Sequence, residues 1–254
     1  MSLGLIGRLG TLLGVVGGAL SLLDELSSDV QAKQPDLDAA TKEYFANRTL
    51  HTSAPMTGKM TRHAVRTLDE RMTHILRLAE KYKDDELVHT VASTIATIAA
   101  KRYGERNQYG VIHALHLFVI NAIAYVPDIT GQDNFQSPPQ TLRLRRGDCD
   151  CFTILTLALA KNLGIPGRAK VIQTFKDKDW RHIYPVLGEV KKGRVVKWYA
   201  CDGTVKKYKH PGFEVPDKLL TRWVLYESCI KALDNGERKL IIKVVGRKDA
   251  ARPN

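Results

Sequence analysis

From Cys151 to Ala160 the chain has no charged residue, and its apolar side chains fall on every side of the helical wheel. A helix that is apolar all round is buried all round, so whatever this chain folds into is built around these residues. The sequence marks both ends of the helix. Gly147-Asp148 is a tight approach followed by a good capping residue, Gly164 suits the position just past a helix, and Pro166 cannot continue one. Cys149 therefore falls in the first turn, where unpaired backbone N–H groups and the helix dipole favour an anion. Its thiol is expected to ionise more readily than one further along the helix. A thiol enzyme presents its nucleophile in this way, and the same position also suits a small buried apolar residue, the common state of a free cysteine.

A chain of 254 residues holds one sizeable domain plus an extension, or two small domains. The net charge of +12 comes from basic residues spread along the chain, with denser runs at Lys191-Lys192-Gly193-Arg194, Lys206-Lys207-Tyr208-Lys209-His210 and Arg247-Lys248. That pattern favours solubility and non-specific anion binding over a recognition code. No zinc-finger, RNA-recognition or basic-zipper signature is present, so no specific nucleic acid partner is expected. Cys149, Cys151, Cys201 and Cys229 lack the spacing of a disulfide framework, which points to a reducing compartment.

The first residues are unusual. Leu3 to Leu23 carries a single charge, Arg8, and glycines at 4, 7, 10, 14, 17 and 18. The length suits a bilayer span, and the spacing of small residues suits close helix packing. A membrane contact through Leu3 to Leu23 and a segment packed on its own domain or a neighbouring subunit are both open readings. A cleaved signal peptide fits less well, with only Arg8 and Val30-Gln31-Ala32 to support it. Pro35 to Gly104 reads as helical, with helices expected over Asp36–Asn47, Thr61–Lys83 and the stretch opened by Asp84 and Asp85. Tyr109–Tyr125 is a further apolar helix whose His113 and His116 share a face without the acidic partner of a zinc protease, so both are expected to be structural.

Ile129 to Gln140 is expected to be a loop forming one wall of a cleft before Cys149, with Asn134, Gln136 and Gln140 as candidate oxyanion donors. Ala169–Phe175, His182–Val190 and Arg194–Asp202 read as strands, the last two joined by Lys191-Lys192-Gly193. If Val190 and Arg194 close that hairpin, antiparallel counting brings His182 opposite Asp202, within reach of an imidazole–carboxylate bond. Pro185 and Gly188 suggest an edge strand or a bulge that would shift this register. Thiol, histidine and aspartate in this order are the parts of a Cys-His-Asp triad.

The chain resembles the transglutaminase-like superfamily, and within it the bacterial and bacteriophage branch. Tyr125-Val126-Pro127-Asp128, Gln136-Ser137-Pro138 with Thr141-Leu142, Gly147-Asp148-Cys149-Asp150, Leu163-Gly164-Ile165-Pro166, His182-Ile183-Tyr184 and Asp202-Gly203-Thr204 carry the resemblance. It implies an α+β, papain-like fold, with a central buried helix bearing the cysteine against an antiparallel sheet and a helical region before it. It also implies Cys149 as nucleophile, His182 as general base and acid, and Asp202 as the residue orienting the imidazole. Where the family commonly has a second acidic residue after the Cys-Asp pair, this chain has Cys151. The expected organisation is an apolar segment over 1–30, a helical region over 36–105, a core over 106–210 and a C-terminal extension over 211–254, with a strand at Lys239–Val245.

The leading expectation is thiol-dependent amide chemistry, either peptide or isopeptide hydrolysis or glutamine acyl transfer, on a protein or peptide substrate. The alternative is a non-catalytic bacteriophage virion component that keeps the fold and assembles with its neighbours. A bacterial host's cytoplasm or a virion is the expected location, and no cofactor is expected. A metal site from Cys149, Cys151, His182 and Cys201 is disfavoured, because zinc sites use wider cysteine spacing.

Overall fold

The computed structural model describes residues 61–62, 67–128, 134–177, 179–233 and 237–249, so the expectations for Leu3–Leu23 and Asp36–Asn47 lie outside the described residues. Strand β1 (Thr61–Arg62) precedes helix α1 (Leu68–Tyr82). The helix expected from Thr61 thus starts late. Thr67 accepts from the Glu70 N–H while the Glu70 carboxylate accepts from the Thr67 N–H, and this reciprocal cap satisfies two orphan donors. The best cap, rather than the first apolar residue of the stripe, sets the boundary. Met72, Ile75, Leu76 and Ala79 form its buried face, as their spacing predicts.

Helix α2 (Glu86–Tyr103) is capped by Asp85, which accepts from the Leu87 N–H at 3.0 Å. Helix α3 (Gln108–Ala122) leads to the short strands β2 (Ala124–Tyr125) and β3 (Asn134–Phe135). The expected loop up to Gln140 is interrupted by β3, which pairs with β1, and by helix α4 (Pro138–Leu144). Two prolines open that helix, a position where the missing N–H groups would have had no partner anyway. Strand β4 (Arg146–Gly147) pairs parallel with β2 and delivers the chain to helix α5 (Cys149–Asn162).

Helix α5 is buried on every side from Cys149 to Ala160, packed against α1, α2, α3 and α4 and against the sheet. Phe152, Ile154, Leu155, Leu157 and Leu159 are each at most 2% exposed, and burying one such side chain contributes about 1.5–3 kcal/mol. The helix ends as its sequence suggests. Gly164 takes a left-handed φ of 68°, the Ile165 N–H reaches the Ala160 carbonyl at 2.8 Å, and the Gly164 N–H reaches that of Lys161.

The sheet is antiparallel throughout, in the order β7-β6-β5-β8-β9, formed by β5 (Gly167–Thr174), β6 (His182–Lys191), β7 (Arg194–Ala200), β8 (Leu220–Ala232) and β9 (Arg238–Lys248). Ala169, Val171, Ile183 and Leu187 face the helices. Ile172, Tyr184, Val186 and Ala200 form a second core on the other face, covered by Val205, Tyr208, Phe213 and Val215. β6 lies between β7 and β5 and is not an edge strand, although the bulge that Pro185 and Gly188 suggested does occur, between Glu189 and Val190. The expected strand at Lys239–Val245 is part of the longer β9, and β8 inserts beside β5, burying Val224 and Tyr226.

Gly147 is the tightest point of the approach to α5. A β-carbon there would lie 2.5 Å from the Cys151 β-carbon, which cannot swing away as the end of a long side chain could. Gly147→Ala is expected to destabilise the fold by about 1–3 kcal/mol, read as a lowered denaturant midpoint at unchanged m-value.

Candidate active site

Asp148 caps α5. Its side chain accepts from the Cys151 N–H at 3.0 Å and its carbonyl from the Phe152 N–H at 2.9 Å, which fixes where the helix begins. Cys149 is then the first helical residue, 9% exposed, and lines a small cleft. His182 lines the same cleft from the start of β6. The sequence places both at element ends, and the packing of α5 on β6 brings those ends together.

Asp202 lies just past β7. Its Oδ2 is 2.7 Å from His182 Nε2, and its Oδ1 accepts from the Thr204 N–H at 3.0 Å and from the Thr204 hydroxyl at 2.7 Å. All of the carboxylate's visible partners are donors. Burial works to raise this carboxyl, but the attraction of His182 and the bonds from His182 and Thr204 prevail and hold it below the usual range.

The contact expected between His182 and Asp202 is therefore present, but the expected register is not. Lys192 and Gly193, at φ 50° and 74°, make a two-residue turn closed by Lys191 and Arg194, where a three-residue loop was expected. Positive φ at both central positions matches the twist of the hairpin. The bulge then shifts the register once more, and the ladder stops at Val186–Ala200, so His182 and Asp202 meet beyond its end.

The electrostatics around Cys149 oppose the helix dipole. Burial pushes the thiol well above its usual range, the Asp150 and Asp148 carboxylates push it the same way, and Arg71 and a backbone hydrogen bond from Ile183 pull it down without offsetting them. Asp150 is wholly buried and pairs with Arg71 Nη2 at 2.5 Å across the α1–α5 contact. Burial, with Asp150 and Asp128 close by, also raises the Asp148 carboxyl.

Three side chains of the cleft were not singled out from the sequence: Arg71, Trp180 and Arg181. One of them had a signal. A carboxylate buried at the second residue of an all-apolar helix needs a cation, which announces some basic residue without saying which. Asn134, Gln136 and Gln140, the candidate oxyanion donors, do not line this cleft. The Asn134 side chain donates to Asp128 Oδ1 at 3.3 Å, and Asp128 Oδ2 accepts from the Asn134 N–H at 2.6 Å.

Cys151 is fully buried, and its thiol donates to the Asn134 carbonyl at 3.6 Å. The Cys201 thiol donates to the Tyr199 carbonyl. The metal grouping of Cys149, Cys151, His182 and Cys201 is not assembled. Among the described residues, the side chains close enough to share an ion are Asp148, Cys149 and Asp150, with ligand atoms within 4.8 Å, and here Asp148 caps the helix and Asp150 holds Arg71. His113 and His116 are buried structural residues. Burial lowers them to about 3 and about 4, His113 Nδ1 meets the Tyr103 hydroxyl at 2.8 Å, and His116 Nε2 donates to the Tyr208 carbonyl at 2.9 Å.

Known proteins resemble this chain over its central part. The family model of the transglutaminase-like superfamily matches residues 96–210. A crystal structure of a protein from Cytophaga hutchinsonii, provisionally named a cysteine protease, is 21% identical, and the alignment covers 64% of this chain and 53% of that one at a TM-score of 0.34. No curated protein matches the chain. The matched stretch, residues 96–210, includes Cys149, His182 and Asp202.

Proposed function

We propose that the protein is a thiol-dependent enzyme acting on an amide of a protein or peptide, with Cys149 as nucleophile, His182 as base and acid, and Asp202 as the residue that orients the imidazole. One observation carries this reading: His182, bound to Asp202 at 2.7 Å, opens on the same cleft as Cys149. An aspartate accepting at Nε2 keeps the proton on that nitrogen, so Nδ1 is the one that exchanges a proton with the thiol. The thiol gives its proton to Nδ1 as sulfur attacks the carbonyl carbon. The tetrahedral oxyanion collapses to a thioester as the imidazolium protonates the departing amine. Water then completes a hydrolysis, or a second amine completes an acyl transfer, with His182 again removing the proton.

In this reading the resting thiol is protonated, because burial and two carboxylates outweigh Arg71. Proton transfer to His182 belongs to the attack itself, instead of preceding it as a stable ion pair. The same raised thiol favours a second reading, in which the domain is a non-catalytic assembly protein, such as a bacteriophage virion component. Alkylation with iodoacetamide across pH, with the modified cysteine identified by mass spectrometry, separates the two. An enzyme alkylates selectively at Cys149 in a His182-dependent way, whereas uniform slow labelling of all four cysteines supports the assembly reading.

Cys149→Ala is expected to abolish turnover, and His182→Ala to lower it by about 10²–10⁴-fold, the usual contribution of a positioned acid–base group. Asp202→Asn should slow Cys149 alkylation near pH 7 and leave it little changed at high pH, where the thiol ionises unaided. It should also alter acid stability. A carboxyl held below its unfolded value stabilises fully above about pH 4 and loses that contribution as pH falls through the folded value, so the asparagine variant should lack this part of the acid transition.

Two neighbours should move the Cys149 pH–alkylation profile in opposite directions. Asp148→Asn keeps a good cap and removes a repelling charge, so the profile should shift to lower pH. Arg71→Met should shift it to higher pH and cost about 3–5 kcal/mol in denaturant unfolding, because it leaves Asp150 charged and buried. Adding Asp150→Asn to Arg71→Met should recover much of that loss.

A further inference from the structure

We propose that the substrate of this cleft carries a carboxylate beside the scissile amide, held by Arg181 against the ring of Trp180. The inference rests on the thiol-enzyme reading for the word substrate, but the anion site itself stands on charge pairing around the cleft. Each acid there has a partner. Asp150 is taken by Arg71 at 2.5 Å, Asp202 by His182 at 2.7 Å, and Asp148 by the first turn of α5. Asp179 accepts from the Trp180 N–H at 2.7 Å and lies 4.0 Å from Arg222 Nη2. Among the described residues, the Arg181 side chain has neither an ion pair nor a hydrogen bond. It is exposed, lines the cleft, and comes immediately before His182. The backbone there is anchored, since the Arg181 N–H donates to the Ile172 carbonyl at 3.3 Å.

Trp180 gives this cation a wall. Its ring is half-buried and lines the cleft, and the Arg222 guanidinium lies 4.5 Å from its centroid, which holds the ring in place. An anionic group entering this cleft therefore meets an unmatched guanidinium and a fixed aromatic surface. A guanidinium is the side chain best suited to such a ligand, because its fork of donors matches the two oxygens of a carboxylate. The carboxylate comes from an acidic side chain or from a chain terminus, and the chemistry of recognition is the same for both.

The test compares alkylation of the full chain at Cys149 by iodoacetate and by iodoacetamide, which differ in carrying or lacking a carboxylate. Arg181→Gln should lower the iodoacetate-to-iodoacetamide rate ratio by about fivefold, the effect of one charge at about 4 Å in a water-like medium. Arg181→Lys should keep most of the ratio, and a ratio unchanged by Arg181→Gln overturns the proposal. The ratio is read whether or not the protein turns over any amide, so failure of the enzyme reading and failure of the anion site are distinguishable. Protection of Cys149 from iodoacetamide then identifies the source. Peptides with an internal acidic residue and a blocked C-terminus are compared with peptides that are neutral apart from a free C-terminal carboxylate, each against its amide. Protection by one acid form alone assigns the source, and equal protection by acids and amides overturns the anion site.

Discussion

The structure depends on burying the first turn of α5 together with the rest of that helix. Most helices show one face to water, and charges at their N-termini are solvated there. This one is enclosed by four helices and a sheet, so Asp148, Cys149 and Asp150 all leave water with it. A helix N-terminus favours a nearby anion by about 0.3–1 kcal/mol at exposed sites and about 2 kcal/mol in favourable buried ones. Desolvating a charge costs several kcal/mol even after the protein relaxes. The dipole is the smaller effect. This is why Cys149, in a position that favours a thiolate on helix geometry alone, has its thiol pushed upward.

Arg71 follows from the same constraint. Asp150 sits at the second residue of α5 with no exposed surface, and a carboxylate in that position is tolerated when paired. The partner comes from α1, outside the matched region of residues 96–210. The α1–α5 packing thus has an electrostatic as well as an apolar component, since Lys161 and Lys83 also converge on Glu80 at 2.9 Å each. The strand β8, beyond the other end of that region, joins β5 to the edge strand β9, and its Tyr226 hydroxyl donates to Asp69 of α1 at 2.5 Å. Segments on either side of the matched region therefore hold the walls of the cleft in place.

How much of this was legible depended on the range of the interaction responsible. The limits of α5 could be read because Asp148, Gly164 and Pro166 act on adjacent residues. The stripe of α1 could be read because 3.6-residue periodicity is local. Its start could not, because Val65 continues the apolar pattern while the Thr67–Glu70 cap starts the helix later. β8 was missed where Val224, Tyr226 and Ser228 alternate, because Trp223 and Leu225 between them are apolar as well and obscure the period of two. The burial of Asp150 and the partner it would need were fixed by packing between α1 and α5, seventy-nine residues apart for Arg71 and Asp150, and no local pattern encodes that.

His182 and Asp202 show why a contact can be inferred correctly from a register that is wrong. Counting along the hairpin assumed a three-residue loop and a regular ladder, and both assumptions failed: the turn has two residues, and a bulge intervenes between Glu189 and Val190. The two side chains nevertheless meet, because both lie beyond the last ladder pair at Val186–Ala200, where the backbone no longer fixes which residue faces which. There the contact is set by chemistry. Thr204 donates twice to Asp202 Oδ1, so Oδ2 is the oxygen turned to the imidazole. The pairing therefore depends on the turn at Asp202-Gly203-Thr204 more than on the strands that lead to it. Gly203 belongs to that turn for a packing reason, since a β-carbon there would approach Val119 and Phe152 to 2.9 and 3.0 Å. The close seating of this turn on α3 and α5 ties the aspartate to the same helix that presents the thiol.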